Sequence, residues 1–155
     1  MSMYFAIKWL HVLGATVIFG TGLGTAFHFW LAHRSGNASL VAAASRSAVI
    51  ADFAFTLPAV ILQPLTGWAL ARIAGYPLDA TWIVVSFALY LLAGACWIPV
   101  LVLQWRMREL ASRCAAQGAP LGPEYRKLAR AWFALGWPAF IALAIVIGLM
   151  VARPA

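Results

Sequence analysis

The chain has 155 residues, enough for one domain, and 65% of them are hydrophobic while only 10% are charged. A soluble domain is about half apolar and about a quarter charged, so this composition excludes an ordinary water-soluble globule. A net charge of +7 could suit nucleic acid, but the basic residues gather in two loops between apolar runs. That is a membrane-topology pattern, and it argues against nucleic acid as a partner.

Four apolar segments, each near the ~20 residues a spanning helix needs, predict an all-α bundle of four transmembrane helices. The expected spans are about 4–30, 49–71, 81–104 and 131–151, within a single integral membrane domain covering 1–155.

The first span reads YFAIKWLHVLGATVIFGTGLGTAFHFWLAH and carries all 3 histidines, His11, His28 and His33. No basic stretch precedes it, and it is longer than a signal-peptide core, so it is expected as a retained helix. Ser35-Gly36-Asn37 should break it, with Asn37 or Ser39 capping the next helix. Residues 39–48 are small and polar, with Arg46, and are expected to be an exposed first turn or two. The second span holds Asp52, Pro58, Gln63, Pro64 and Gly67; Gly75 and Pro77 end it. Gln63 is expected to bond a backbone carbonyl freed by a proline. The third span contains Pro99 and should continue as a polar helix through Arg113. Pro123-Glu124 is a good helix start, and the fourth span contains Pro138.

Eight Lys or Arg residues follow spans one and three, against three on the opposite side (Lys8, Arg72, Arg153). The positive-inside rule then places both termini on the outer, periplasmic side of a bacterial inner membrane. Trp9, Trp68 and Trp82 would mark the outer interface, and Trp30, Trp105 and Trp132 the inner one. Cys96 and Cys114 are 18 residues apart, about 27 Å along one helix, which rules out a disulfide between them.

An ionisable residue inside a span needs a partner, a cavity or a task. His11 can be a haem ligand, a proton-relay group or an interfacial histidine bonded to a carbonyl. Gly14, Gly20, Gly22 and Gly24 thin the same helix, leaving room for a neighbouring helix or a flat macrocycle. Gly20 and Gly24 also form a small-residue packing pair, one face for a homodimer or a membrane-protein partner. Lys8, one turn before His11, can snorkel outward or pair with a haem propionate. His28 lies 17 residues from His11, about 25 Å away, so the two cannot grip one iron. Met150 should lie at a depth similar to His11 and is a candidate second ligand. Asp52 should lie level with His28, and a contact between them would make a proton-uptake route; capping or pairing with Arg46 is the alternative. There is no CxxC, no HExxH and no phosphate-binding glycine loop, so an enzyme here would need a cofactor.

The segments KWLHVLGATVIFGTGLGTA, DFAFTLPAVILQPLTGWAL and LGWPAF…GLMVARP resemble a family of bacterial four-helix predicted integral membrane proteins of unknown function. More distantly, the chain is similar to HemJ-type protoporphyrinogen oxidases. Their Lys-x-x-His pattern is matched by Lys8 and His11, and their proline with glycine nine residues later by Pro58 and Gly67. That likeness implies a haem b with His11 as iron ligand; Lys8, Gly14 and His28 are the further candidate cofactor-binding residues on the same helix. Departures are Ser86, where those proteins carry a lysine, and Ala95, Cys96 and Trp97 in place of a Tyr-His pair. His33 matches a second helix-closing histidine only with a one-residue slip. The expected function is therefore a haem-b redox protein in the lipid bilayer, oxidising a porphyrin-type substrate or passing electrons to quinone. The alternatives are a non-enzymatic assembly or accessory subunit, and a small metal or solute carrier.

Overall fold

The structure is a computed structural model that describes residues 2–153. Helix α1 spans Met3–Ser35, α2 Ala38–Ala51, α3 Leu57–Ile73, α4 Thr81–Ala116 and α5 Pro123–Ala152. A π-helical turn, Asp52–Thr56, joins α2 to α3, so residues 38–73 form one long rod. Among the described residues, four rods are long and apolar enough to cross a membrane. They run antiparallel in sequence, which brings both chain ends to one end of the bundle (the terminal end). The two arginine-rich connections lie at the other (the basic end).

The helix ends follow local chemistry. Gly36 closes α1 at φ +65°, a conformation that costs glycine little. Asn37 then caps α2, its side-chain oxygen accepting from the Ser39 and Leu40 amides at 2.9 and 3.2 Å. Pro123 opens α5 with Glu124 in its first turn, and α4 continues to Ala116 as its polar extension predicts. Both cysteines are free.

The prolines explain the irregular stretch of the second rod. Pro58 has no N–H to offer the Ala54 carbonyl, and the turn before it widens, with the Leu57 amide bonding back to Asp52 O. Pro64 likewise frees the Val60 carbonyl. Gln63 was expected to satisfy such a group; instead the Tyr90 hydroxyl of α4 donates to Val60 O at 2.6 Å. Tyrosine reaches across the interface, whereas Gln63 turns to α1.

The largest core lies at the basic end. Phe29 and Ala32 of α1, Val41 and Ala44 of α2, Val100, Met107 and Ala111 of α4, and Tyr125, Ala129 and Trp132 of α5 close on one another. Two expectations are corrected here. Residues 39–48 are not an exposed turn, since Val41, Ala44, Ser45 and Ala48 are buried. Small side chains let α1 and α4 approach closely, and that outweighs their modest hydropathy. Trp132 is also no interface marker: it is buried against Phe29, with ring centroids 4.8 Å apart.

Towards the terminal end the buried set changes character. It comprises His11, Ile18, Ala59, Gln63, Thr66, Ala71, Ser86, Ala93, Ala142 and Val146, mostly small or polar. There α1 pairs with α3 and α4 with α5.

Candidate functional site

His11 is the one histidine of the three that is buried; His28 is exposed and His33 half-buried. Two residues of the second rod hold the His11 ring, Thr66 and Gly67. Thr66 Oγ1 lies 2.8 Å from His11 Nδ1. Thr66 in turn bonds back along its own helix, donating its single hydroxyl proton to Leu62 O at 2.8 Å or Gln63 O at 3.1 Å. That proton has His11 Nδ1 as a third acceptor in reach; when it points to a carbonyl instead, Thr66 accepts from the ring and the imidazole proton sits on Nδ1. Nε2 then keeps its lone pair.

Gly67 makes room for this arrangement. A Cβ there would stand 3.2 Å from His11 Cε1, tighter than ordinary contact. His11 and Gly67, 56 residues apart in the sequence, thus lie against one another across two helices.

Gly14 meets the neighbouring helix, one of the two uses its place in the sequence allows. Its open face is filled by Gln63, whose Oε1 would lie 2.7 Å from an added Cβ. The glycine admits an amide side chain from the neighbouring helix and leaves no cradle for a macrocycle. Gln63 Oε1 is itself buried without a hydrogen-bond partner.

Lys8 is exposed at the terminal end, its ammonium 5.8 Å from the Tyr4 ring centroid. That is the snorkelling position, within a turn of His11 along the helix. Gly22 is closed by Phe140 of α5, while Gly20 and Gly24 face open space. The Phe19–Phe140 contact, at 5.7 Å between ring centroids, registers α1 against α5. Counting outward from it along antiparallel helices puts Met150, half-buried, within about one turn of the level of His11.

The expected link between His28 and Asp52 is not formed. His28 is exposed while Asp52 is buried, and no ion pair joins Asp52 to His28 or Arg46. His33 instead belongs to an aromatic cluster at the basic end, its Nδ1 3.0 Å from the Tyr125 hydroxyl and its ring stacked on Phe29. Sequence reasoning missed that cluster, although Phe29 and His33 sit four apart on one helix face, a spacing that signals contact. It also missed Ser86, buried with its hydroxyl unpartnered.

A family of proteins described as "Predicted integral membrane protein (DUF2269)" matches residues 5–154. The chain belongs to this family. Membership covers nearly every residue from Phe5 onward, so the His11 site and all four rods fall inside the shared region. No curated protein and no solved structure matches the chain. The chain is an integral membrane protein, embedded in lipid through several passes, as its four apolar rods require.

Proposed function

We propose that the chain is a haem-b-binding redox protein of the bacterial inner membrane, in which His11 Nε2 would hold the iron. The observation that carries this reading is the His11–Thr66–carbonyl chain. A histidine that ligates a metal usually donates its other ring proton to a fixed acceptor, which sets the tautomer and the ring plane. Here Thr66 supplies that acceptor inside a lipid-spanning bundle, where a bare imidazole is costly.

The donor chemistry fits one axial position. Thr66 and Gly67 hold the imidazole, and Lys8 stands where it can meet a propionate at the membrane surface. Gly14 takes no part, since Gln63 fills its face. When bound, haem iron supplies one-electron chemistry between a hydrophobic donor, of porphyrin or quinone type, and the respiratory chain. The protein's share is to hold the ligand nitrogen unprotonated and to exclude water from it. The distribution of Lys and Arg supports an orientation with the basic end in the cytoplasm.

An absorption spectrum of protein purified from haem-supplied cells tests the assignment. The expected result is a Soret band that survives His28→Ala and disappears in His11→Ala. Colourless wild-type protein, or a band unaffected by His11→Ala, refutes it. A cysteine at Ser112 tests the orientation: it should react with impermeant reagents only from the cytoplasmic side.

A further inference from the structure

Asp52 is the sole Asp, Glu, Lys or Arg in the central part of any rod. On α1 none lies between Lys8 and Arg34, on the second rod none other between Arg46 and Arg72, on α4 none before Arg106, and on α5 none between Arg130 and Arg153. The titratable groups nearest its level are His28 on α1, which is exposed, and Cys96 on α4, beside Trp97. Arg46, on its own rod, is exposed and unpaired with it. No counter-charge reaches the carboxyl, which is only 4% exposed.

The surroundings are polar but unfinished. Thr56, Gln104 and Trp97 surround the carboxyl, and Thr56 Oγ1 and Gln104 Oε1, themselves 4% and 3% exposed, have no hydrogen-bond partner. A small cavity of about 40 Å³ lies between Asp52, Phe53, Leu57, Trp97 and Leu101. Asp52 and Thr56 are the first and last residues of the π-helical turn, a deviation that recurs at functional sites.

We propose that Asp52, Thr56 and Gln104 form an exchangeable proton-binding site within the membrane. Two properties of the cluster lead there. A neutral carboxyl has one O–H to give, and two buried oxygens lack a donor. A carboxylate has only acceptors, and Trp97 N–H, the Thr56 hydroxyl and the Gln104 amide N–H groups are the donors at hand. The same three neighbours can therefore complete either protonation state with small rotations, as a site that takes up and releases a proton requires. A metal cation would need several more oxygens than Asp52, Thr56 and Gln104 supply. The inference stands apart from haem binding at His11, which packs on Thr66 and Gly67, 14 and 15 residues further along the second rod than Asp52.

Infrared spectroscopy of the full chain in lipid vesicles tests it. The chain has 4 carboxylic side chains, of which Asp79, Glu109 and Glu124 are exposed, so the difference between wild type and Asp52→Asn isolates the buried one. The expected spectrum shows one protonated-carboxyl band, lost in Asp52→Asn, shifted by deuterium oxide and raised in frequency by Thr56→Val, which removes a hydrogen bond. Raising the pH should bleach it reversibly, which tests wild-type protein without relying on a variant that must fold. Absence of the band at neutral pH overturns the proposal, as does a band that never exchanges with deuterium. Bleaching by Na⁺ at constant pH overturns it in favour of a metal-cation site.

Discussion

Gly14→Ala and Gln63→Ala, singly and together, ask what the first helix's glycine is for. A Cβ on residue 14 would stand 2.7 Å from Gln63 Oε1, against 3.4 Å at the short end of ordinary contact, a shortfall of 0.7 Å. Overpacking of that kind costs about 1–3 kcal/mol, and exchanging glycine for alanine within a helix returns up to about 1 kcal/mol. Gly14→Ala alone should therefore destabilise by about 0–2 kcal/mol. In a Gln63→Ala background the clash is gone and only the helix-propensity gain remains, so the two changes should couple by about 1–3 kcal/mol. Gly20→Ala, which meets nothing within 4 Å, is the control and should show only the gain, whatever occupies position 63. Reversible unfolding in mixed dodecylsulfate–dodecylmaltoside micelles measures all four corners of the cycle. Additive behaviour, or a Gly14→Ala protein as stable as Gly20→Ala, refutes the packing role and returns Gly14 to the ligand-facing role its position in the sequence implies.

Four further outcomes follow from the same contacts. Tyr90→Phe strips the Val60 carbonyl of its donor inside the membrane and should lower stability by about 1–3 kcal/mol in the same micelle assay. Thr66→Val removes the partner of His11 Nδ1 and should reduce haem affinity about 10–100-fold in a haem titration while the helical circular-dichroism signal is retained. Gly67→Ala pushes on His11 Cε1 and should shift the same titration in the same direction. Asn37→Ala removes the cap of α2 and should cost about 0.5–2 kcal/mol, read as a lower unfolding midpoint with no change in haem binding.

The spans were legible because hydropathy is a property of length and composition, and the helix ends because caps are local: Gly36, Asn37 and Pro123 act on their immediate neighbours. The inward faces were much harder to read. In lipid a helix is apolar all round, so greasy periodicity no longer marks the core. On the second rod the buried positions are mostly Ala, Ser, Thr and Gln, while Phe53, Phe55, Leu65 and Trp68 point outward. That inversion is why residues 39–48 read as exposed. It is also why His28 and Asp52, level in depth, could not be assigned to different faces from spacing alone. His11 was legible as the residue to watch because an imidazole in a span is rare. Its partners Thr66 and Gly67 were not, since nothing local ties position 11 to positions 66 and 67.

The rods are longer than the barrier they cross. Helix α4 has 36 residues and α5 has 30, about 54 and 45 Å of helix against some 30 Å of hydrocarbon. The surplus includes the arginine-bearing turns around Met107, Ala111 and Tyr125. Water therefore reaches one mouth of the bundle, where solvent exclusion can tighten Met107, Ala111 and Tyr125 like the closed jaw of a clamp. The opposite mouth, bathed in acyl chains, receives no such squeeze. Thicker or thinner bilayers should accordingly loosen the mouth holding His11 long before they disturb the one holding Tyr125.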